Sequence, residues 1–233
     1  MEFGFDIISD LYLTANDKFT WDGKATSLYC LIPGNISSDV NVIHSVLLEL
    51  SKHYNGIFYI DGALEHNNDL SNFSQRTQEL AAMCKSIRNT VYLHENVVIV
   101  DGVALLGLNG WYGNYVPTDT IDSINYTNFS FADLAYFKHT IEKLQLHIDV
   151  RKIIVVSNSV PTDKLYFGES PENINDHIRL TSVLEYDTEK KITKWVFGTS
   201  NKIVDTTIDG INYVNNPCFN TNPYYAKRLN VGY

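Results

Sequence analysis

The chain has little cysteine and no long apolar run, and each of these absences excludes a class of protein. Its three cysteines, Cys30, Cys84 and Cys218, are far apart and form no CxxC pair. This excludes a disulfide framework and a zinc knuckle, and it indicates reduced thiols in a cytoplasmic protein. No apolar run approaches the about 18 to 20 residues that cross a bilayer. The opening MEFGFDIISD also lacks the basic segment of a signal peptide, so we expect neither a membrane span nor secretion.

Positive charge is also scarce. The 233 residues include 18 Lys and Arg against 27 Asp and Glu, a net charge of −9. Binding along a nucleic-acid backbone needs a basic stripe, so the composition argues against that class of partner. It leaves open a metal-assisted phosphate site, where bound ions supply the positive charge. Because repeats, low-complexity tracts and Pro/Gly-rich linkers are all absent, residues 1–233 are predicted to form one domain.

The apolar pattern predicts strands and helices that alternate in the first half, with hairpins towards the end. Helices are predicted over 39–54, 69–88 and 132–148 from apolar residues at helical spacing. Asp-Gly turns at 101–102 and 209–210 each predict a hairpin. Residues 111–128 are predicted to form a long, polar, tyrosine-rich loop. This mixture favours two packed sheets with helices outside over a doubly wound sheet.

Five junctions between a strand and a loop carry the most information. In chain order they are ISDLYL, IPGNISSD, IDGALEH, VVSNSVPT and FGTSNK, and the last is followed by a hairpin that ends in VNNP. This series resembles the calcineurin-like metallophosphoesterase family, whose loops carry D-x-H, G-D, G-N-H-[DE], a histidine before a proline, and G-H-x-H. The resemblance covers nearly the whole chain. It implies an α/β (α+β) fold, a four-layer αββα sandwich of two mixed sheets flanked by helices, with these loops at one edge.

The departures from the family pattern are systematic. The family's loops hold two metal ions and a histidine general acid, and carried over by position only the first aspartate, Asp10, is kept. The other positions have changed: Tyr12 for the first histidine, Asn35 for the bridging aspartate, Ala63 for the ligand asparagine, Leu64 for the acid histidine, Asn158 for the loop histidine, and Thr199 and Asn201 for the last two histidines. These are the positions of a vestigial site.

Two-metal chemistry needs ligands that these residues do not supply. The paired ions sit about 3.5 to 4 Å apart, usually across a carboxylate. Amide oxygens are poor ligands for transition-type ions, and Ala or Leu cannot bind them. Loss of the acid histidine removes a further factor of about 10² to 10⁴ in rate. We therefore expect an inactive homologue without a cofactor, which serves as a scaffold or regulatory subunit by binding another protein.

Aromatic residues in the long loop are the sequence candidates for a partner surface. Exposed Trp and Tyr side chains favour protein interfaces, although such a loop can equally fold its rings back onto its own domain. The candidates are Trp111, Tyr112, Tyr115 and Tyr126.

Two other functions stay open at this point. The first is a divergent phosphodiesterase with a rebuilt metal site that uses Asp10, Asp61, Glu65 or His66, although a solvated loop histidine is the preferred interpretation of His66. The second is a metal-free sensor that holds a phosphate or nucleotide on loop N–H groups. Against it, Lys202 is the one basic residue in the five loops.

The polar residues of the vestigial site could also form an oxygen-rich site for Ca²⁺ or Mg²⁺ from Asp10, Asn35, Asn158 and Asn201. One carboxylate with three amides is a weak ligand set, so a hydrogen-bonded polar cluster is preferred. In that cluster we expect Asn35 to donate to Asp10, and Asn158 to pair with Asn201.

Overall fold

The computed structural model describes residues 3–67, 71–110, 121–165, 184–200, 202–219, 221 and 223–232. Its strands are β1 (Gly4–Ile7), β2 (Tyr29–Ile32), β3 (Gly56–Tyr59), β4 (Thr90–Tyr92), β5 (Asn96–Val100), β6 (Val103–Leu108), β7 (Lys152–Ser157), β8 (Ile192–Phe197), β9 (Asp205–Ile208), β10 (Ile211–Val214) and β11 (Lys227–Asn230). Its helices are α1 (Val40–Leu50), α2 (Phe73–Ser86) and α3 (Ile121–Leu144).

The strands form two sheets, and both are mixed. The first has the order β11-β1-β2-β3-β4, with β1 to β4 parallel and β11 antiparallel at the edge. The second has the order β5-β6-β7-β8-β10-β9, in which the central four strands are parallel and both edge strands are antiparallel. Parallel neighbours place their carboxyl ends at the same sheet edge, and the loops that follow them therefore meet there.

Three apolar clusters divide the structure into four layers. One cluster, including Phe5, Leu31 and Val156, lies between the two sheets. A second packs α1 and α2 on the outer face of the first sheet, and a third packs α3 on the outer face of the second. Strands covered on both faces need continuous apolar runs, which is why IIVV of β7 shows no alternation. The predicted α-β-β-α sandwich is confirmed.

The third helix differs most from the sequence prediction. It begins at Ile121, so the predicted loop over 111–128 is wrong from residue 121 onwards. The first turns, IDSINYTN, carry weak helix formers and no clear apolar stripe, and packing of the later turns on the second sheet outweighs that propensity. The helix also ends at Leu144, which leaves Ile148 almost fully exposed and not in the core stripe.

The ranges described contain no helix that is both long and apolar enough to cross a membrane.

Candidate functional site

The loops after five strands meet at one edge of the sandwich, as predicted. Backbone hydrogen bonds join the first loop to the second, from Asp10 N to Gly34 O at 3.2 Å and from Tyr12 N to Asn35 O at 3.0 Å. The first loop is also bound to the chain after β10, where Ser9 N donates to the carbonyl of Asn216. The vestigial positions are therefore brought together by main-chain contacts that are independent of any side-chain ligand.

Four residues at this edge hold the backbone in the left-handed region. Asp10, Tyr12, Asn35 and Thr199 have φ angles of 56°, 50°, 57° and 53°. This region costs an L-residue about 1 to 2 kcal/mol, and it is a genuine outlier for a bulky or β-branched side chain such as tyrosine or threonine. Strain of this kind concentrates at functional sites, where the surrounding structure enforces it. Four of the positions singled out in the sequence thus share a strained backbone geometry.

Asp10 is buried and its carboxylate is surrounded by donors. Its Oδ1 accepts from Asn35 Nδ2 and from the Thr199 amide, each at 2.9 Å, and its Oδ2 accepts from Ser9 Oγ at 2.9 Å. Burial raises the pKa of Asp10 to about 6, and the hydrogen bonds from Asn35, Thr199 and Ser9 limit that rise. Hydrogen-bond donors of the protein therefore occupy the positions around this carboxylate where a cation would have to bind.

Asn35 is the centre of the cluster. Its Nδ2 lies 2.9 Å from Asp10 Oδ1, 3.0 Å from Thr199 Oγ1 and 3.3 Å from Tyr12 Oη, and its Oδ1 accepts from the Leu64 amide at 3.4 Å. The predicted bond from Asn35 to Asp10 is confirmed. At the position that the sequence resemblance aligns with a bridging carboxylate, this chain turns an amide N–H towards the Asp10 carboxylate.

Asn158 fills the space between the remaining loops. Its Nδ2 donates to Pro33 O at 2.9 Å, and its Oδ1 accepts from Thr199 Oγ1 at 2.9 Å. Two glycines make room for it, since a Cβ on Gly62 would lie 2.4 Å from Asn158 Cγ and a Cβ on Gly34 would lie 2.7 Å from its Nδ2. The predicted partner Asn201 is outside the described residues.

Glu65 performs a role that the sequence did not reveal. It is fully buried, and its carboxylate accepts from the amides of Ile36 at 2.7 Å, Gly62 at 2.8 Å and Asn35 at 3.1 Å. Burial raises the pKa of Glu65 to about 7, although the backbone donors oppose that rise. Because both oxygens bind backbone N–H groups, Glu65 ties the second loop to the third and is not placed to bind a metal.

His66 is buried, so the expectation of a solvated loop histidine is wrong. Its Nε2 lies 2.6 Å from Asp61 Oδ2, and its ring stacks on Phe73 at 4.9 Å between centroids. The 3-10 turn over Leu64–His66 directs the ring inwards, where Asp61 also accepts from Tyr92 Oη at 2.6 Å. Burial alone would raise the pKa of Asp61, but the bond from His66, the nearby His94 and the Tyr92 bond lower it to about 2.

These residues do not fit the metal pair that the family resemblance implies. Ala63 and Leu64 carry no ligating atom, and the donors around Asp10 leave it no ready ligand position. In the described ranges, no group of three or more His, Cys, Asp or Glu side chains is arranged to hold a metal ion. The rebuilt site from Asp10, Asp61, Glu65 and His66 does not assemble either, because Glu65 and Asp61 face separate partners.

The predicted partner surface is only partly within the described chain. Trp111, Tyr112 and Tyr115 lie outside the described residues, and Tyr126 belongs to α3. A different aromatic pair is exposed at the mouth of the site. The rings of Tyr12 and Phe219 are 5.5 Å apart in an edge-to-face contact. Sequence reasoning missed Phe219, because its segment matches the family pattern only in the Asn-Pro pair that precedes it.

Comparison with solved structures identifies the architecture. No protein-family model and no curated protein sequence matches the chain. Phosphopantetheinyl hydrolase (PptH) from Mycobacterium tuberculosis is similar over 98% of this chain and 96% of that one, with a TM-score of 0.62 and 13% identity. The fold is phosphoesterase-like.

Two further structures share this fold over most of the chain. A putative 5'-nucleotidase from Staphylococcus aureus matches 92% of this chain at 12% identity and a TM-score of 0.51, and this chain spans 48% of it. GAP50, named as the anchor in the inner membrane complex of Plasmodium, matches 92% of this chain and 71% of its own at 10% identity and a TM-score of 0.56. At these identities the likeness describes the fold and not the activity.

Proposed function

We propose that this chain is a non-catalytic, phosphoesterase-like protein in which residues 1–233 act as one unit that binds another protein, as a scaffold or regulatory subunit. The observation that carries the proposal is the hydrogen-bonded network of Asp10, Asn35, Thr199 and Asn158 at the vestigial site. We name it the loop network.

The loop network replaces the interactions that two cations would supply. In a two-metal centre the carboxylates are neutralised by the ions. Here the single remaining carboxylate, Asp10, is stabilised by the Asn35 amide and the Thr199 N–H. Binding a cation would require both donors to turn away, which would leave buried polar groups unpaired at about 1 to 3 kcal/mol each. Leu64 at the general-acid position also leaves the leaving group without a proton source.

Binding of a protein partner is supported by the exposed rings at the mouth of the site and by a structural neighbour. Exposed aromatic side chains in contact with one another favour protein interfaces. Among proteins of this fold, GAP50 is named as an anchor, so a role in assembly is compatible with the architecture.

The competing function is a divergent phosphodiesterase. Two structural neighbours carry enzyme names, a phosphopantetheinyl hydrolase and a putative 5'-nucleotidase, and the loops at Tyr12 and Thr199 hold the backbone in a strained region. For the metal-free sensor, the described residues offer no observation that favours it over these two.

A hydrolysis assay separates the proposal from the competing function. The protein and its Asp10→Ala variant would be incubated with bis-p-nitrophenyl phosphate and Mn²⁺, Ni²⁺ or Mg²⁺. We expect equal rates from the two proteins, because Asp10 binds protein donors instead of a metal. A metal-dependent rate well above that of Asp10→Ala would show a working centre and defeat the proposal.

A further inference from the structure

An open groove lies between α1 and the segment that follows the first loop. One wall consists of Ser45 and Glu49 of α1 and of His53 just after it, which recur at four-residue spacing. The other wall is the segment 17–23, which we name the strap. The groove has a volume of about 600 Å³, within the range of sites that bind ligands.

The strap is paired along one edge only. Trp21 forms a parallel bridge with Tyr224, in which Tyr224 N donates to Thr20 O at 2.9 Å and Asp22 N donates to Tyr224 O at 3.1 Å. These bonds flank Trp21, so its own N–H and C=O point to the opposite edge. Among the described residues, no group bonds the backbone N–H or C=O of Trp21 or of Phe19. Such an edge is a template for pairing with another chain.

The groove lies on the unpaired side of the strap. Tyr224 pairs with the other edge and does not line the groove, whereas α1 does. A chain in the groove would therefore have the strap on one side and α1 on the other. Strand addition of this kind is an established way of binding a peptide, because main-chain hydrogen bonds supply affinity and side-chain contacts supply specificity.

The strap is held in position by its aromatic side chains. The ring of Phe19 stacks on Tyr224 with centroids 5.3 Å apart, and the ring of Trp21 lies 6.2 Å from Tyr54 and 6.3 Å from His53. Phe19 and Trp21 are half-buried against the apolar cluster between the first sheet and its helices, and both line the groove. A strap fixed in this way loses little conformational entropy when a partner binds.

We propose that the groove binds an extended protein segment, which pairs with the unpaired edge of the strap as an added strand. The N–H and C=O of Trp21 exchange hydrogen bonds with the backbone of the segment, and an apolar side chain of the segment contacts the Trp21 ring. The net charge of −9 disfavours a segment rich in carboxylates. It also disfavours a second copy of this chain, because two such copies repel.

The inference rests on the proposed function and specifies how a protein partner binds. Neither Tyr12 nor Phe219, the exposed rings at the mouth of the vestigial site, lines the groove. The groove is therefore a surface separate from those rings.

A random peptide display library supplies the probe. It is panned against the protein, with Ser45→Arg as the counter-selection, because Ser45 is exposed on the α1 wall and a long side chain there obstructs the groove. Enriched peptides are then synthesised with one backbone N-methyl group at each position in turn. Since a strand pairs with its neighbour through every second residue, N-methylation should weaken the Kd about fivefold or more at alternate positions and have little effect between them.

Amide hydrogen exchange followed by NMR reads the backbone contact directly. The Trp21 amide, which no described residue accepts from, should exchange rapidly in the free protein and at least about tenfold more slowly with peptide bound. The amides of Asp22 and Tyr224 are hydrogen-bonded already and should change less. They are the internal controls of this measurement.

The control variant is Ser74→Arg, which makes the same change at an exposed position of α2 outside the groove. It should bind the peptides like the parent, whereas Ser45→Arg should weaken the Kd at least about tenfold. Thermal melts should show that both variants are folded.

Four results would overturn the proposal. They are a library without enrichment, peptides that tolerate N-methylation at every position, binding that leaves the exchange of the Trp21 amide unchanged, and peptides that bind Ser45→Arg as tightly as the parent. A concentration-dependent dimer in sedimentation velocity that Ser45→Arg abolishes would also overturn it, because the occupant would then be a second copy.

These failures are distinct from failure of the proposed function. Peptides that bind elsewhere would refute strand addition at the strap and leave a non-catalytic binding protein. Asp10-dependent hydrolysis would refute the proposed function, and the peptide titrations would then describe a surface of an enzyme.

Discussion

Replacing Asn35 by aspartate places a second carboxylate in the loop network. In the parent, Asn35 Nδ2 lies 2.9 Å from Asp10 Oδ1. In Asn35→Asp an oxygen takes the place of that nitrogen, so the donor is lost and two carboxylates face each other. A lost hydrogen bond to a charged group costs about 1.5 to 3 kcal/mol. Two unit charges about 4 Å apart repel by about 4 kcal/mol at an effective dielectric constant of 20. The Tyr12 hydroxyl, 3.3 Å from Asn35 Nδ2, can turn to donate and offset part of this.

The defect should depend on pH in a known direction. Asp10 already has a pKa raised to about 6, and the new neighbour raises the pKa of the pair further. The folded variant then holds a proton that the unfolded chain has released, so its stability falls as pH rises, by at most about 1.4 kcal/mol per pH unit for one proton. We expect the free energy of unfolding of Asn35→Asp to be lower than that of the parent by about 3 to 5 kcal/mol at pH 8. The difference should shrink to about 1 kcal/mol at pH 5, where the two carboxyls share a proton.

Urea unfolding at pH 5, 6, 7 and 8 in EDTA measures this difference. Asn35→Ala removes the donor without adding charge. Its deficit should grow as Asp10 ionises, because the lost hydrogen bond favours the charged carboxylate, but it should grow less with pH than that of Asn35→Asp. Asn55→Asp adds the same charge at an exposed position and should unfold like the parent. If Asn35→Asp unfolds like the parent at every pH, the Asp10 and Asn35 side chains do not hold these loops together and the reasoning is refuted.

Three other predictions concern buried groups around the site. In the parent, the pKa of Glu65 is raised from its ordinary 4.5 to about 7, so the free energy of unfolding declines as the pH rises from 5 to 7. Glu65→Gln should flatten that decline, and an unchanged slope in urea unfolding would contradict this prediction. Asp61→Asn should cost about 3 kcal/mol at pH 7 by breaking the pair with His66. Because the folded pKa of Asp61 is about 2, that deficit should shrink as pH falls below 3.8, and a deficit constant in acid melts would count against the ion pair. Gly62→Ala should destabilise the protein by about 1 to 3 kcal/mol, because the added Cβ clashes with Asn158. Adding Asn158→Ala should relieve part of that loss, and a double mutant whose destabilisation equals the sum of the two single ones would exclude the contact.

Much of the architecture is predictable from the sequence, because apolar strands must end where polar loops begin. The junctions at Asp10, Asn35 and Asn158 are placed by that rule, and their order carried the family resemblance. The bond from Asn35 to Asp10 followed from charge balance, since an amide at the bridging position avoids repulsion between two carboxylates that lack a cation.

The rest depends on contacts between segments that are distant in the sequence. Glu65 has the appearance of an ordinary loop carboxylate, and only the meeting of two loops supplies the three backbone N–H groups that it binds. His66 is buried because Asp61, Tyr92 and the ring of Phe73 converge on it from separate elements. The start of α3 at Ile121 follows from packing of its later turns and not from its own first residues.

Binding of Mn²⁺ tests the central claim most directly, because the loop network and a metal pair cannot both occupy Asp10. The free Mn²⁺ signal in electron paramagnetic resonance would be followed as the metal is added at pH 7.5 to the parent and to Asp10→Ala. We predict that the two proteins leave the same free signal, up to about 1 mM metal, since one carboxylate among amides is a weak ligand set. Loss of signal equal to one or two ions per chain in the parent, absent in Asp10→Ala, would contradict the claim that hydrogen bonds have replaced the metals.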